Sequence, residues 1–348
     1  MLALGAVASV FAGATTAGAH STAPAASKAS TDVCVLLPDT KSSVRWELFD
    51  RPLLGAAFKK AGLTSTIVNA LNDPQKMRSQ AADCVTQGAK VALIVALDPG
   101  SGAGITKALI AGGVKVIDYD RLTPGSGAKY YVSFDNVQVG KLQGQGLVAG
   151  LKASGEYGKK PVIAELNGAI TDNNAKLFKQ GYDSVLNPLY KSGTFVKAKS
   201  GDQWTNWDPI KGQTIFQGML AQNGNKINAV LAANDGLAGA VVATEKNKGI
   251  GPLPLTGQDA TPTGLQYILS GYQTGTVYKP VALEANAAAS VAIKLIKGGT
   301  VKTNGKVSGT PSILLTPKWV NKANHNILFT DKWVKKSAVC VGSYKKYC

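Results

Sequence analysis

The side chains able to do chemistry in this sequence recur in one kind of place, just beyond short apolar runs. Asp39, Arg45 and Trp46 follow residues 33–37, and Asp120 and Arg121 follow residues 114–119. The stretch 171–176, containing Asp172 and Asn174, follows residues 161–166, and Gly201-Asp202-Gln203-Trp204 follows residues 195–200. Asn234-Asp235 comes after residues 227–232, Gln258-Asp259 after residues 253–257, and Lys279 after residues 274–278. Such a set suits a polyhydroxylated ligand. A hydroxyl both donates and accepts, so a carboxylate takes its proton while guanidinium, ammonium and amide groups supply protons to its oxygen. Charge-assisted pairs to adjacent hydroxyls are the stronger bonds. Trp46 and Trp204 offer flat surfaces for the C–H faces of a sugar ring.

Taken singly, each residue has a plainer role. An Asp or Asn there caps the next helix, an Arg pairs with a carboxylate, and a Trp fills the core. Capping accounts for the Asp and Asn residues but not for Arg45, Arg121, Lys279 and the two Trp. An acid/base pair among Asp172, Asp235 and Asp259 would make a glycan-active enzyme. Arg and Lys at the same strand ends keep carboxylates ionised, whereas a general acid needs a raised pKa. Binding is therefore expected, with no catalytic residue. The Gly-rich stretch 100–104 lacks the Lys of a phosphate loop and reads as a flexible turn.

The elements that must position these groups alternate. Runs at 33–37, 64–70, 91–96, 114–119 and 130–134 read as strands, with helices at 46–61, 74–87 and 105–111. The alternation restarts with a helix at 138–153 and strands at 161–166, 195–200, 227–232, 253–257 and 274–278. Helices at 173–187, 208–222, 236–246 and 261–269 separate them. A long Ala-rich helix, 280–296, and a strand, 312–315, complete the chain. The fold class is α/β: two doubly wound parallel-sheet lobes joined by several crossings. Ligands bind beyond the carboxyl ends of such strands, where the polar residues lie. The expected lobes are 31–134 with 281–311 and 135–280 with 312–339, followed by a tail at 340–348.

Composition supports this. The 348 residues are 45% hydrophobic and 17% charged, enough apolar content for large cores and against disorder. The net charge is +17, but the lysines are scattered in short pairs, which reads as a solvated basic surface rather than a nucleic-acid footprint. Residues 1–30 hold a single Lys, Lys28, and no Arg, so a DNA-binding helix-turn-helix is not expected there. That segment reads as a signal peptide and spacer, with Ala17-Gly18-Ala19 as a small-residue cleavage site. The mature protein is expected to be soluble and extracytoplasmic. With only two His and no paired CxxC spacing, no metal is expected. Cys34, Cys84, Cys340 and Cys348 imply two disulfides in an exported chain. Of the three pairings, Cys34–Cys84 with Cys340–Cys348 is favoured, the second closing the tail; four free buried thiols are the alternative.

The motifs Arg45-Trp46, Tyr119-Asp120-Arg121, Ser133-Phe134-Asp135-Asn136, Asp172 to Phe178, Gly201 to Trp204, Asn234-Asp235, Gly257 to Ala260 and Val277 to Pro280 occur in order across most of the chain. In them the sequence resembles the periplasmic sugar-binding proteins of ABC importers, which have the type I solute-binding fold with a three-crossover hinge. The resemblance implies a monosaccharide ligand, D-xylose first, an ABC permease as membrane partner, a monomer and no cofactor. It implies that Arg45, Asp120 and Arg121 hold hydroxyls from the first lobe, and Asp172, Asn174, Asn234 and Asp259 from the second. Lys279 would sit at the lobe junction, with Trp46 and Trp204 sandwiching the ring. Residues 40–43 depart from the family pattern, which puts Lys41 within reach of the site and of sugar choice. A sugar sensor for a membrane receptor is the other reading of the same fold.

Overall fold

The computed structural model describes residues 30–40 and 42–348. The expected signal segment and Lys41 therefore lie outside the described residues, apart from Ser30.

The first lobe contains β1 (Val33–Leu37), α1 (Arg51–Lys60), β2 (Ser65–Asn69), α2 (Pro74–Thr86), β3 (Val91–Ile94), α3 (Pro99–Ala111), β4 (Lys115–Tyr119) and β5 (Tyr130–Phe134). The chain then builds the second lobe from α4 (Asn136–Ala153), β6 (Val162–Asn167), α5 (Asn173–Lys191), β7 (Val196–Trp204), α6 (Pro209–Gln222), β8 (Ala229–Ala232), α7 (Asp235–Lys248), α8 (Pro262–Ser270) and β9 (Gly275–Tyr278). It returns to the first lobe for α9 (Val281–Ile296), β10 (Gly305–Val307) and β11 (Thr310–Leu315). It ends on the second with β12 (Lys318–Asn321), α10 (Asn326–Thr330) and α11 (Lys336–Val339). The three crossings are thus short: 134–136, 278–281 and 315–318.

The first sheet has the order β10-β11-β5-β4-β3-β1-β2, parallel except for the β10–β11 pair. The chain order reverses between β1 and β3, which opens a crevice at their carboxyl ends. In the second lobe β7-β6-β8 repeats this order, and single bridges from Val230 to Leu255 and from Gln258 to Val277 carry it on to β9 and β12. β1, β3 and β8 are buried along their whole length, as apolar strands covered by helices on both faces should be. Four helices begin at Asp73-Pro74, Asp98-Pro99, Asp208-Pro209 and Thr261-Pro262, where the Asp or Thr side chain accepts backbone N–H groups of the first turn. Proline at the first position costs no hydrogen bond there. Both favoured disulfides are present, Cys34–Cys84 joining β1 to α2 and Cys340–Cys348 closing the tail.

Four expectations need correction. Residues 312–315 belong to the first lobe, because β11 pairs in parallel with β5; the last crossing follows Leu315. The stretch 100–104 is the first turn of α3, not a loose turn: Asp98 caps it, and a Cβ on Gly102 would crowd Ala96 and Thr123. Residues 253–257 form only the single bridge at Leu255. The expected helix 46–61 opens with a π-helical turn, Trp46–Asp50.

Candidate functional site

Between the lobes lies a cavity of about 350 Å³, counting the space open at its mouth. Nine residues expected from sequence line it: Arg45, Trp46, Asp120, Arg121, Asp172, Asn174, Asn234, Asp259 and Lys279. Trp204 does not. It is the last residue of β7 and half-buried, and the second indole in the cavity wall is Trp207. Trp207 sits three residues on, where Asn206 and Trp207 both take a left-handed backbone (φ 59° each). That turn swings the ring back over the strand end, and Gly168 leaves room for it, since a Cβ there would overlap the indole. Trp207 donates its Nε1–H to Asp172 at 3.0 Å and meets Phe178 edge-on at 6.3 Å. Ser42, Ser43, Phe178 and Gln258 also line the cavity, though none of them was assigned a ligand-binding role from sequence. The sequence did signal a turn, as Asn206 favours left-handed backbone and Asp208-Pro209 starts a helix directly after it, but not that the turn presents Trp207 to the cavity.

Arg45 comes from the start of the π-helical turn and is 3% exposed. It donates to both carboxylate oxygens of Asp50 (2.9 and 2.7 Å), to Asp120 (2.7 Å) and to Glu284 (2.6 Å). Burial opposes its charge, but Asp50, Glu284 and Asp120 outweigh that and hold it protonated. Tyr119 donates to Asp50 from below. Four of the five guanidinium N–H groups are thereby used within the protein, so Arg45 mainly orients Asp120. Its guanidinium also lies 4.6 Å from the centre of the Trp46 ring.

Asp120 follows β4 with a left-handed backbone (φ 60°). Its carbonyl accepts from Tyr131 and Ser133 at 2.9 Å and from Asn174 of the opposite lobe at 2.8 Å. Burial pushes its carboxyl up, but Lys279, Arg45 and Arg121 more than reverse this and hold it below the usual range. Asp259 also has a left-handed backbone (φ 97°). There burial prevails over Lys279 and Arg45, and the carboxyl is raised. The nearby cations thus outweigh burial at Asp120 but not at Asp259. Lys279 stands between them, 3.7 Å from Asp120 and 3.9 Å from Asp259.

In the second lobe, capping and lining coincide. Asp172 caps α5 with one oxygen and faces Arg121 Nε at 3.7 Å with the other. Asn234 caps α7 through Oδ1. Arg121 donates to Ser42 at 3.0 Å, which in turn accepts from Trp46 Nε1 at 3.3 Å. Gln258 Oε1 is buried with no hydrogen-bond partner among the described residues, so a hydroxyl donor in the cavity would satisfy it. No cluster of metal-ligating side chains occurs among the described residues, and no helix among them is long and apolar enough to cross a membrane.

An interlobe cavity at the carboxyl ends of two parallel sheets defines a type I binding protein. The chain belongs to the periplasmic binding protein family, whose domain model matches residues 34–300. Among curated relatives, the D-xylose-binding periplasmic protein of Escherichia coli (strain K12) is 35% identical over 286 residues, 80% of this chain and 84% of that one. The multiple sugar-binding periplasmic receptor ChvE of Rhizobium radiobacter is 34% identical over 325 residues, 87% of this chain and 90% of that one. Among solved structures, a carbohydrate transporter solute binding protein from Chloroflexus aurantiacus, in complex with D-glucose, superposes with a TM-score of 0.80 at 28% identity. That match covers 89% of this chain and 98% of the other.

Proposed function

We propose that this chain is the extracytoplasmic substrate-binding protein of an ABC sugar importer, taking a single monosaccharide, D-xylose, into the interlobe cavity. The observation that carries this reading is the cavity wall. Carboxylates and cations both line it, both lobes contribute, and two indoles are among the lining residues. Asp120 and Asp259 accept from sugar hydroxyls, while Arg121, Lys279, Asn174 and Asn234 donate to them. Trp46 and Trp207 cover the apolar faces of the ring.

Mechanism follows from the crossings. Arg121–Asp172 and Asp120–Asn174 contacts span the lobes, so opening breaks them and a bound sugar that touches both lobes favours closure. The closed, monomeric protein is the form a permease reads. The relatives named for xylose and for multiple sugars support a sugar ligand, and the xylose-binding relative supports the pentose. Binding rather than catalysis is favoured because each cavity carboxylate is engaged by a cation, a cap or both.

The test is calorimetric titration of the mature protein with D-xylose, D-glucose, D-galactose, D-ribose and L-arabinose, alongside tryptophan fluorescence. Saturable 1:1 binding with D-xylose tightest, lost in Arg121→Ala, is the expected result. No heat with any of the five sinks the monosaccharide reading. Tighter binding of another sugar retains the class and corrects the ligand.

A further inference from the structure

Asp259 lines more than the sugar cavity. It also walls a second, mostly apolar cavity of about 340 Å³, together with Arg45, Phe49, Lys279, Val281 and Trp333 among others. Its carboxylate accepts no hydrogen bond among the described residues, and Lys279 faces it at 3.9 Å, so its position depends on its backbone. That backbone is unfavourable for ordinary residues, because Asp259 and Ala260 are both left-handed, at φ 97° and 50°. Such a conformation persists only where surrounding contacts impose it.

Three hydrogen bonds do so. Asp259 N–H donates to the Val277 carbonyl at 3.0 Å, and Ala260 N–H to Thr276 Oγ1 at 3.2 Å; both partners lie on β9. The third comes from a distant part of the chain: Trp333 Nε1–H donates to the Ala260 carbonyl at 2.8 Å. Trp333 is 9% exposed and stacks on Phe49 of the first lobe with ring centres 4.0 Å apart. It therefore touches both lobes at once. It lies beyond the stretch 34–300 matched by the family model and contributes nothing to the sugar cavity itself.

We infer that Trp333 is a positioning residue for the ligand site: through its indole N–H it holds the strained Asp259-Ala260 turn, and with it the Asp259 carboxylate, in binding geometry. This rests on the sugar-binding reading and adds to it a determinant of affinity outside the cavity.

The test uses Trp333→Phe, which removes the N–H and keeps an aromatic ring, smaller than the indole, beside Phe49. Two readouts are needed. Amide hydrogen exchange at residues 259 and 260 in the ligand-free protein reports the clamp without any sugar; accelerated exchange is expected. D-xylose affinity is expected to fall about tenfold, the size of one lost buried hydrogen bond, with the thermal midpoint moved by only a few degrees. In an Asp259→Asn background the same substitution should cost little further affinity, because the indole acts through that carboxylate. Unchanged exchange overturns the clamp whatever the sugar result. Unchanged affinity, or full additivity with Asp259→Asn, overturns the positioning role. Accelerated exchange in a protein whose parent binds no sugar leaves the clamp standing and overturns both its role in sugar binding and the proposed function.

Discussion

In the first lobe the cavity wall is fixed by charge. Arg45 sits buried among Asp50, Asp120 and Glu284, and Asp120 points where that cluster sends it. In the second lobe the wall is fixed by backbone. Asp172 and Asn234 are helix caps, while Trp207 and Asp259 stand on left-handed residues. Gln143 of α4 ties down the carbonyls of Ala232, Ala233 and Gly257 at the neighbouring strand ends. A site held by ions fails when one ion is removed; a site held by turns and caps fails when a side chain no longer fits its bend.

The largest effect should come from the ionic half. Arg45→Met leaves three buried carboxylates without their shared cation, and urea denaturation should show a loss of about 3–5 kcal/mol. A loss under about 1 kcal/mol would mean that the cluster is not what organises the first lobe. Next in size is the indole of the second lobe. Trp207→Ala should weaken D-xylose binding about a hundredfold, the scale of a central aromatic anchor, whereas Trp204→Ala should leave it within about twofold. Equal losses would restore Trp204 to the site and undo the contrast in how the rings are presented.

The smallest effects set two buried carboxyls against each other. Burial raises Asp118 of β4 to about 7, only partly opposed by its bond from the Thr123 N–H. Its folded value lies above the unfolded one, so the fold loses stability as pH rises from about 4 to 7 and reaches a plateau above that. Asp118→Asn should flatten this slope, matching the parent near pH 4 and exceeding it at pH 8, where burial penalises the charged form. Burial also raises Asp235, to about 6. Its oxygens, however, accept from Gln273, Thr276 and both the N–H and hydroxyl of Thr261. An amide NH2 among those donors should make Asp235→Asn less stable at pH 8, by about 1–3 kcal/mol. Denaturation curves across pH for the pair check both signs.

These differences explain what could be read from the sequence. Strand ends were legible because parallel strands buried on both faces are continuous apolar runs, and polar residues right after them stand out. That located nine lining residues. Trp207 was missed because its place depends on two consecutive left-handed residues and on the space left by Gly168, neither of which is a property of composition or period. Residues 312–315 were assigned to the wrong lobe because an apolar strand does not reveal which sheet edge it joins. The caps were legible as Asp-Pro and Thr-Pro pairs, but not that Asp172 and Asn234 both cap and line the cavity. The carboxylates behind Arg45 were not singled out either, since Glu284 is far off in sequence, on α9.

Lys279 belongs to the middle crossing between the lobes as well as to the cavity wall. In a rotation about the crossings, atoms on the axis travel least. Arg121 and Asp172 hang from separate lobes, so their pairing parts early, while Lys279 remains beside whatever the cavity holds. Ligand departure would then have a fixed sequence, with grips from the lobes released first and the axial ammonium letting go last.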